Sequence, residues 1–238
     1  TIDGNLTLLS GGTITDTDGS TVTVKGTLSA TTDASNRIIT LDDLVVTGAF
    51  TLSPHGTGAV TIVNAAGLNL AASTMGGTFS GTATTGNITQ SGALDIEGAT
   101  TLVTLGQGAT IDLLTNGSGN AFTSQLLITT NDNNTPTDGT YAANVSVDGG
   151  TTNLILGNST IDGNLTLLSG GTITDTDGST VTVKGTISAT TDASNRIITL
   201  NDLVVTGAFT LAPHGTGAVT IVNAVNLNLA ASTMGGTF

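Results

Sequence analysis

The sequence predicts an all-β fold coiled as a parallel β-solenoid, and three observations predict it. Aliphatic residues alternate with Thr, Asn or Asp in short runs, the period-two signature of a strand with one buried face. Strong helix formers are scarce: the acids and bases together make 9% of the chain, against about a quarter in ordinary domains, while β-branched Thr, Val and Ile abound. Finally, positions 1–79 return without a gap as 160–238, so one unit, spanning 1–159, is followed by half of the next.

The elements follow in order along the chain. Leu6-Thr7-Leu8, Val22-Thr23-Val24, Phe50-Thr51-Leu52 and Val60-Thr61-Ile62 each place two apolar residues around one polar residue. Leu68-Asn69-Leu70, Leu94-Asp95-Ile96 and Ile111-Asp112-Leu113 continue the pattern. In each run the flanking residues point inward and the middle one outward. Corners fall at Gly4-Asn5, Gly11-Gly12, Gly19, Gly26, Gly48, Gly58, Gly86-Asn87, Gly92, Gly98 and Gly108, residue types that suit tight bends. Short strands broken by bends about every six to twelve positions suit two architectures, a solenoid and an antiparallel β-sandwich of repeats. Asn-Gly, the hairpin dipeptide, occurs once, at Asn116-Gly117. The chain has no Trp and only six Phe and Tyr residues, which suits a thin aliphatic interior. Both points favour the solenoid.

Rungs of this kind are expected over 1–114 and again over 151–238. Between them, 115–150 breaks the pattern with "TTNDNNTPTDGT", Pro136 and Tyr141, and is expected to be a loop or hairpin leaving the coil. The two copies of the repeat differ at Leu28/Ile187, Asp42/Asn201, Ser53/Ala212, Ala66/Val225 and Gly67/Asn226. The chain begins at Thr1 rather than Met, which predicts a processed or excised start. It stops at Phe238, although its counterpart Phe79 runs on into "SGTATTGNITQSG". That predicts a window on a longer array, or a subunit whose ends are completed by neighbours.

Strings such as "GNLTLLSGGTIT", "GNITQSGALDIEGATTL" and "VVTGAFTLSPHGTGAVTI" resemble repeats of filamentous-haemagglutinin-like exoproteins and related giant bacterial adhesins. The resemblance spans most of the chain except about 115–150. It implies a secreted, right-handed parallel β-helix with rungs of about 20 residues. The secretion domain typical of that family is not in this sequence, so the route of export stays open. With such rungs, the unit 1–159 makes at most about eight turns, or about 38 Å, and the chain a rod of up to about 55 Å.

Charge narrows the partners. A net charge of −13 with four Lys and Arg residues excludes neutralising a run of phosphates, and so nucleic acid. It also disfavours docking on anionic membranes, and no apolar run is long enough to cross a bilayer. The absence of Cys excludes a disulfide scaffold.

No catalytic, cofactor-binding or metal site is expected. Asp16-Thr17-Asp18-Gly19, repeated as Asp175-Thr176-Asp177-Gly178, looks like part of a Ca²⁺ loop, but a third acid and a closing Glu are missing. Ca²⁺ is therefore the one cofactor the sequence raises, and the plainer expectation is an Asp turn capping its own backbone. His55 and His214, each after a Pro in "PHGTG", have no Cys or second His nearby for zinc and read as corner residues. A Ser-His-Asp triad would have to draw on these two, and no Ser elbow adjoins them. Lys25, Arg37, Lys184 and Arg196 are too few and too evenly repeated for the groove of a sugar-cleaving enzyme, so a non-enzyme is expected. Sequons at Asn5, Asn87, Asn116, Asn133, Asn144, Asn158 and Asn164 do not by themselves imply glycosylation in a chain so rich in Asn, Ser and Thr. Pairs such as Thr13-Ile14-Thr15 and Thr21-Val22-Thr23 are too irregularly spaced to predict the single-face Thr register of ice-binding solenoids.

Two functions are left. One is a structural segment of an extracellular filament or fibrous adhesin, a rod that extends by end-to-end stacking with copies of itself. The other is a cell-surface binding module that recognises glycans or surfaces through loops on the rod.

Overall fold

A computed structural model describes residues 1–132 and 142–238. The chain coils as a parallel β-solenoid of about ten turns. Strands of successive turns pair side by side, and every strand pairing among the described residues is parallel. The antiparallel sandwich is thereby excluded.

Two long faces run the length of the coil. The first is an 11-stranded sheet of Leu6–Ser10, Leu28–Thr32, Ala49–Ser53, Leu68–Leu70, Ile88–Gln90, Ile111–Leu113, Val145–Asp148, Leu165–Ser169, Ile187–Thr191, Ala208–Ala212 and Asn228–Leu229. The second has 13 strands. Its single-piece turns are Ile39–Val46, Val60–Asn64, Phe79–Ala83, Thr100–Thr104, Gln125–Thr129, Ile198–Val205 and Val219–Asn223. In the other three turns the strand is in two pieces: Ile14–Thr15 with Val22–Val24, Leu154–Leu156 with Ser159–Ile161, and Ile173–Asp175 with Val181–Val183. A third, three-stranded sheet, Ser73–Met75, Leu94–Ile96 and Ala121–Phe122, widens the middle turns only.

The interior is a set of ladders. Leu68, Ile88, Ile111, Val145, Leu165, Ile187, Phe209 and Leu229 stand one above the next on the first face. On the second, Ile14, Ile39, Val60, Phe79 and Thr100 do the same. Parallel in-register pairing forces this, because a residue that points inward in one turn meets an inward residue of the next. Each fully buried Leu, Ile or Phe contributes about 1.5–3 kcal/mol, and the ladders supply most of what holds the coil together. Phe50, Phe79, Phe122 and Phe209 are all buried.

On the first face most steps between paired residues span twenty to twenty-three positions, as from Phe50 to Leu70, Leu6 to Leu28 and Ile88 to Ile111. Strand Leu165–Ser169 lies seven turns above its identical copy Leu6–Ser10. The unit 1–159 is therefore seven turns, within the upper bound of about eight, and about 34 Å long. It falls short of the bound because corner loops lengthen several of the turns.

The boundaries expected at 115 and 150 are corrected. A 3₁₀ turn at Gly117–Gly119 leads into Ala121–Phe122 and Gln125–Thr129, and Val145–Asp148 rejoins the first face. Phe122, Leu126, Ile128, Val145 and Val147 are buried, so these segments are rungs. Their polar neighbours disguised them, because alternation over two to five residues is a weak signal. The step from Ile111 to Val145 is the longest on the first face. Within that step, residues 133–141, including Asn133, Pro136 and Tyr141, lie outside the described residues.

Candidate functional site

The polar groups with defined geometry sit at the corners, where the chain leaves one face for another and backbone groups lose their ladder partners. A corner Asn precedes the first-face strand in several turns. Its Oδ1 accepts a hydrogen bond from the backbone N–H of the next turn's corner residue. Thr27 donates to Asn5 at 2.9 Å, Thr110 to Asn87 at 2.9 Å, Asn164 to Asn144 at 2.8 Å and Thr186 to Asn164 at 2.8 Å. Four of the sequons are these corners: Asn, then an inward aliphatic residue, then an outward Ser or Thr. The Asn-x-Ser/Thr pattern here follows from strand alternation after a corner Asn.

Buried corners use the same device in reverse. Asn64 is fully buried. It accepts from Val46 N–H at 2.8 Å and donates to Val46 O and Gly67 O. Ser73 Oγ accepts from Leu52 N–H at 2.9 Å, and Ser159 Oγ from Ile128 N–H at 3.0 Å. Sequence reading missed these roles, since an isolated Asn or Ser after an aliphatic run looks like any other loop residue.

Asp16 and Asp175 do not cap their own turns. Each reaches across to a β-bulge in the following turn, where the register shifts between Leu41 and Leu44, or between Leu200 and Leu203. Asp42 N–H donates to Asp16 Oδ1 at 3.2 Å, and Asp43 N–H to Asp16 Oδ2 at 2.9 Å. Asp43 returns the contact by accepting from Gly19 N–H at 2.7 Å. The copy repeats the clamp: Asn201 N–H and Asp202 N–H donate to Asp175 Oδ2 at 2.9 and 2.8 Å, and Gly178 N–H to Asp202 at 3.1 Å. Asp18 and Asp177 stand exposed beside the clamp. Among the described residues no group of three or more His, Asp or Glu side chains is arranged to hold a metal ion.

Carboxylates nevertheless crowd the first clamp. Asp42 is pushed above the ordinary carboxylate range, first by desolvation, then by its hydrogen bond with Asp16 and the charges of Asp16, Asp18 and Asp43. The second copy relieves this by carrying Asn201 at the same place. Asp148 is also raised, chiefly by burial and further by the charge of Asp192; the N–H of Gly150, donated to its Oδ1 at 2.8 Å, opposes the shift.

The four cations are dispersed. Lys25 pairs with Asp3 at 2.7 Å in the open, and its copy Lys184 with the buried Asp162 at 3.0 Å. The second pair is more enclosed because another turn lies beneath it. Asp162 also accepts from Asp132 N–H at 2.9 Å, and Asp132 accepts from Ala142 N–H at 3.0 Å and from Gln107 Nε2. Arg37 and Arg196 are exposed on corner loops. His55 and His214 are exposed corner residues whose backbone N–H groups donate to Thr32 and Thr191 at 3.0 Å. Ser194 Oγ lies 3.4 Å from His214 Nδ1, a proximity the sequence did not suggest.

The outward side of the second face aligns Thr residues that are unevenly spaced in sequence. Thr15, Thr40, Thr61, Ser80 and Thr101 form one continuous row, and Thr129, Thr160 and Thr182 part of another. Their intervals in sequence are uneven because corner loops differ in length, but the ladder absorbs the difference. From Val60 to Thr104 the outward residues of this face carry no charge.

Comparison with known proteins places this architecture. Residues 1–56, 57–129 and 142–212 match a family model described as repeats of unknown function (DUF5649). The middle match extends over turns that the long near-exact copy does not include, so the repeating character is finer than the duplication. No curated protein and no solved structure matches the chain. With three matched blocks spanning most of its length, the chain belongs to the DUF5649 repeat family.

Proposed function

We propose that the chain is a structural segment of an extracellular filament or fibrous adhesin, a rod that extends by end-to-end stacking of solenoid units. One observation carries the reading. Turns stack by translation: the ladder Leu68, Ile88, Ile111, Val145, Leu165, Ile187 and Phe209 runs unbroken from turn to turn, and Leu165–Ser169 repeats Leu6–Ser10 seven turns further along the same face. Each turn thus offers its apolar ladder residues and backbone groups to the next. Head-to-tail contact of this kind makes open filaments rather than closed rings. The likeness of the sequence to filamentous-haemagglutinin-like exoproteins supports the extracellular placement. Electron microscopy of the purified chain tests the proposal: fibres with an axial repeat support it, and isolated particles of uniform short length at high concentration overturn it.

The hydroxyl rows of the second face favour a second reading, a module that lies on a regular glycan surface. Thr61, Ser80 and Thr101 supply an uncharged donor-acceptor row about 4.8 Å apart. Co-sedimentation with insoluble polysaccharides, before and after Ser80→Glu, tests it. Equal sedimentation of the two proteins, or none of either, would sink this reading.

A further inference from the structure

One large apolar side chain stands out of the coil in both copies of the repeat: Ile38 is 41% exposed and its copy Ile197 is 40% exposed. Both lie within the coil, with a turn of the second face on either side. Ile14–Thr15 and Val60–Asn64 flank Ile39–Val46, and Ile173–Asp175 and Val219–Asn223 flank Ile198–Val205. The exposure has a local cause, the small size of the neighbours. Ile14 N–H donates to Ile38 O at 3.1 Å and Ile39 N–H to Ala59 O at 3.0 Å, which sets Thr13 and Ala59 beside Ile38. In the copy, Ile173 N–H donates to Ile197 O at 3.1 Å and Ile198 N–H to Ala218 O at 3.0 Å, which sets Thr172 and Ala218 beside Ile197. Past Ala59 the row continues as Thr78 and Ala99, which accept from Val60 N–H and Phe79 N–H. An isoleucine knob thus stands beside a shallow trough of small side chains.

Charges of both signs accompany each knob. Arg37 and Arg196 directly precede it and are exposed. The two lysines are held in ion pairs with Asp3 and Asp162, whereas among the described residues neither arginine is in an ion pair. An exposed carboxylate shares the groove with the knob: about 640 Å³ on the outward side of the second face is lined by Ile155, Thr174, Asp177, Ile197 and Thr199. Asp18 is the exposed counterpart of Asp177 in the first copy. The two knobs lie seven strand spacings apart on one sheet, about 34 Å.

We infer that this face pairs two copies of the chain side by side. The occupant is a second copy because the patch complements itself: it carries a knob and a trough, an arginine without an ion pair and an exposed carboxylate. With the two rods antiparallel, Ile38 of one meets the Ile197 patch of the other, and Ile197 meets the Ile38 patch. Arg37 then faces Asp177 of the second copy, and Arg196 faces its Asp18. The 34 Å spacing is the same on both rods, so the two patches engage together and the second contact forms within an existing complex. Such a two-fold contact uses the same surface on both copies and closes on itself. It goes beyond end-to-end stacking, since pairing sets the width of an assembly and stacking its length.

Electron microscopy and sedimentation velocity of the whole chain test the pairing. The wild-type chain is expected as assemblies two rods wide. Ile38→Ser/Ile197→Ser is expected to give assemblies one rod wide, with the urea midpoint of unfolding unchanged because both side chains are exposed. Leu105→Ser/Leu114→Ser, which removes exposed leucines from other corners, is expected to leave the pairs intact. Arg37→Asp/Arg196→Asp is expected to weaken pairing about tenfold or more, and adding Asp18→Arg/Asp177→Arg is expected to restore it. A wild-type chain one rod wide, pairs that survive the isoleucine substitutions, equal loss with the leucine substitutions, or no rescue by the reciprocal charges overturns the inference. Long fibres one rod wide overturn the pairing and leave the stacking function standing; paired rods that never lengthen do the reverse.

Discussion

Asn64 makes three hydrogen bonds to backbone groups while fully buried, so it stands in for a missing strand at its corner. Removing it strands Val46 N–H and Val46 O away from water. Asn64→Ala is expected to destabilise the chain by about 2–4 kcal/mol in urea unfolding. Its copy Asn223 makes the same contacts nearer the edge and is more exposed, so Asn223→Ala is expected to cost less. Asp42 presents the opposite case, a charge held where its neighbours repel it. Its raised folded pKa means that the folded chain binds the proton more readily than the unfolded chain. The resulting penalty is full above the raised value and fades as pH falls through it to below the ordinary 3.8. Asp42→Asn, the residue already present as Asn201, is expected to raise Tm at pH 7 and to lose that advantage near pH 3. An unchanged or lowered Tm at pH 7 would contradict the crowding argument.

The ladders explain which element positions tolerate change. Gly81 lies between Ile62 and Leu102 on the second face, where a Cβ would stand 2.8 Å from Phe79 Cζ and 2.9 Å from Leu68 Cδ2. The glycine makes room for Phe79, so Gly81→Val is expected to overpack the turn and destabilise by about 1–3 kcal/mol, read by thermal unfolding. The His-Gly corner is a backbone requirement instead: Gly56 has φ +68° above Asn36 at φ 62°, and Asn36 Oδ1 accepts from Thr57 N–H at 2.9 Å. These pairings were legible where three alternating residues sit between glycines, as at Leu94-Asp95-Ile96. They were not legible where a strand is two residues long, as at Ala121–Phe122, or where a bulge interrupts alternation, as at Asp42-Asp43. Short alternation carries little information, and a bulge reverses its phase.

For the whole molecule, each turn touches only its neighbours, so stability grows by addition of rung and interface terms. Appending residues 80–159 after Phe238, and so completing the second unit, is expected to bury Phe238, Leu227 and Leu229. The urea midpoint and the slope of unfolding should both rise, since more surface is exposed on unfolding. No gain in either would show that the second copy's edge does not receive the rungs that cover the first. In fibres, the expected axial repeat for one unit is about 34 Å, seven strand spacings, and X-ray fibre diffraction would measure it.

The sequence by itself determined the all-β class, the inward residues of the longer strands, and the translation of one unit onto the next. Period-two alternation and near-exact repetition are properties of the linear order and can be read without coordinates. Only the tertiary structure decided the number of turns, the alignment of Thr61, Ser80 and Thr101, and the reach of Asp16 to the bulge of the next turn. Each depends on which residue of one turn lies over which residue of the next. That register is set by corner loops of unequal length and by hydrogen bonds between residues 18 to 32 positions apart, distances over which the linear order of residues carries no signal of contact.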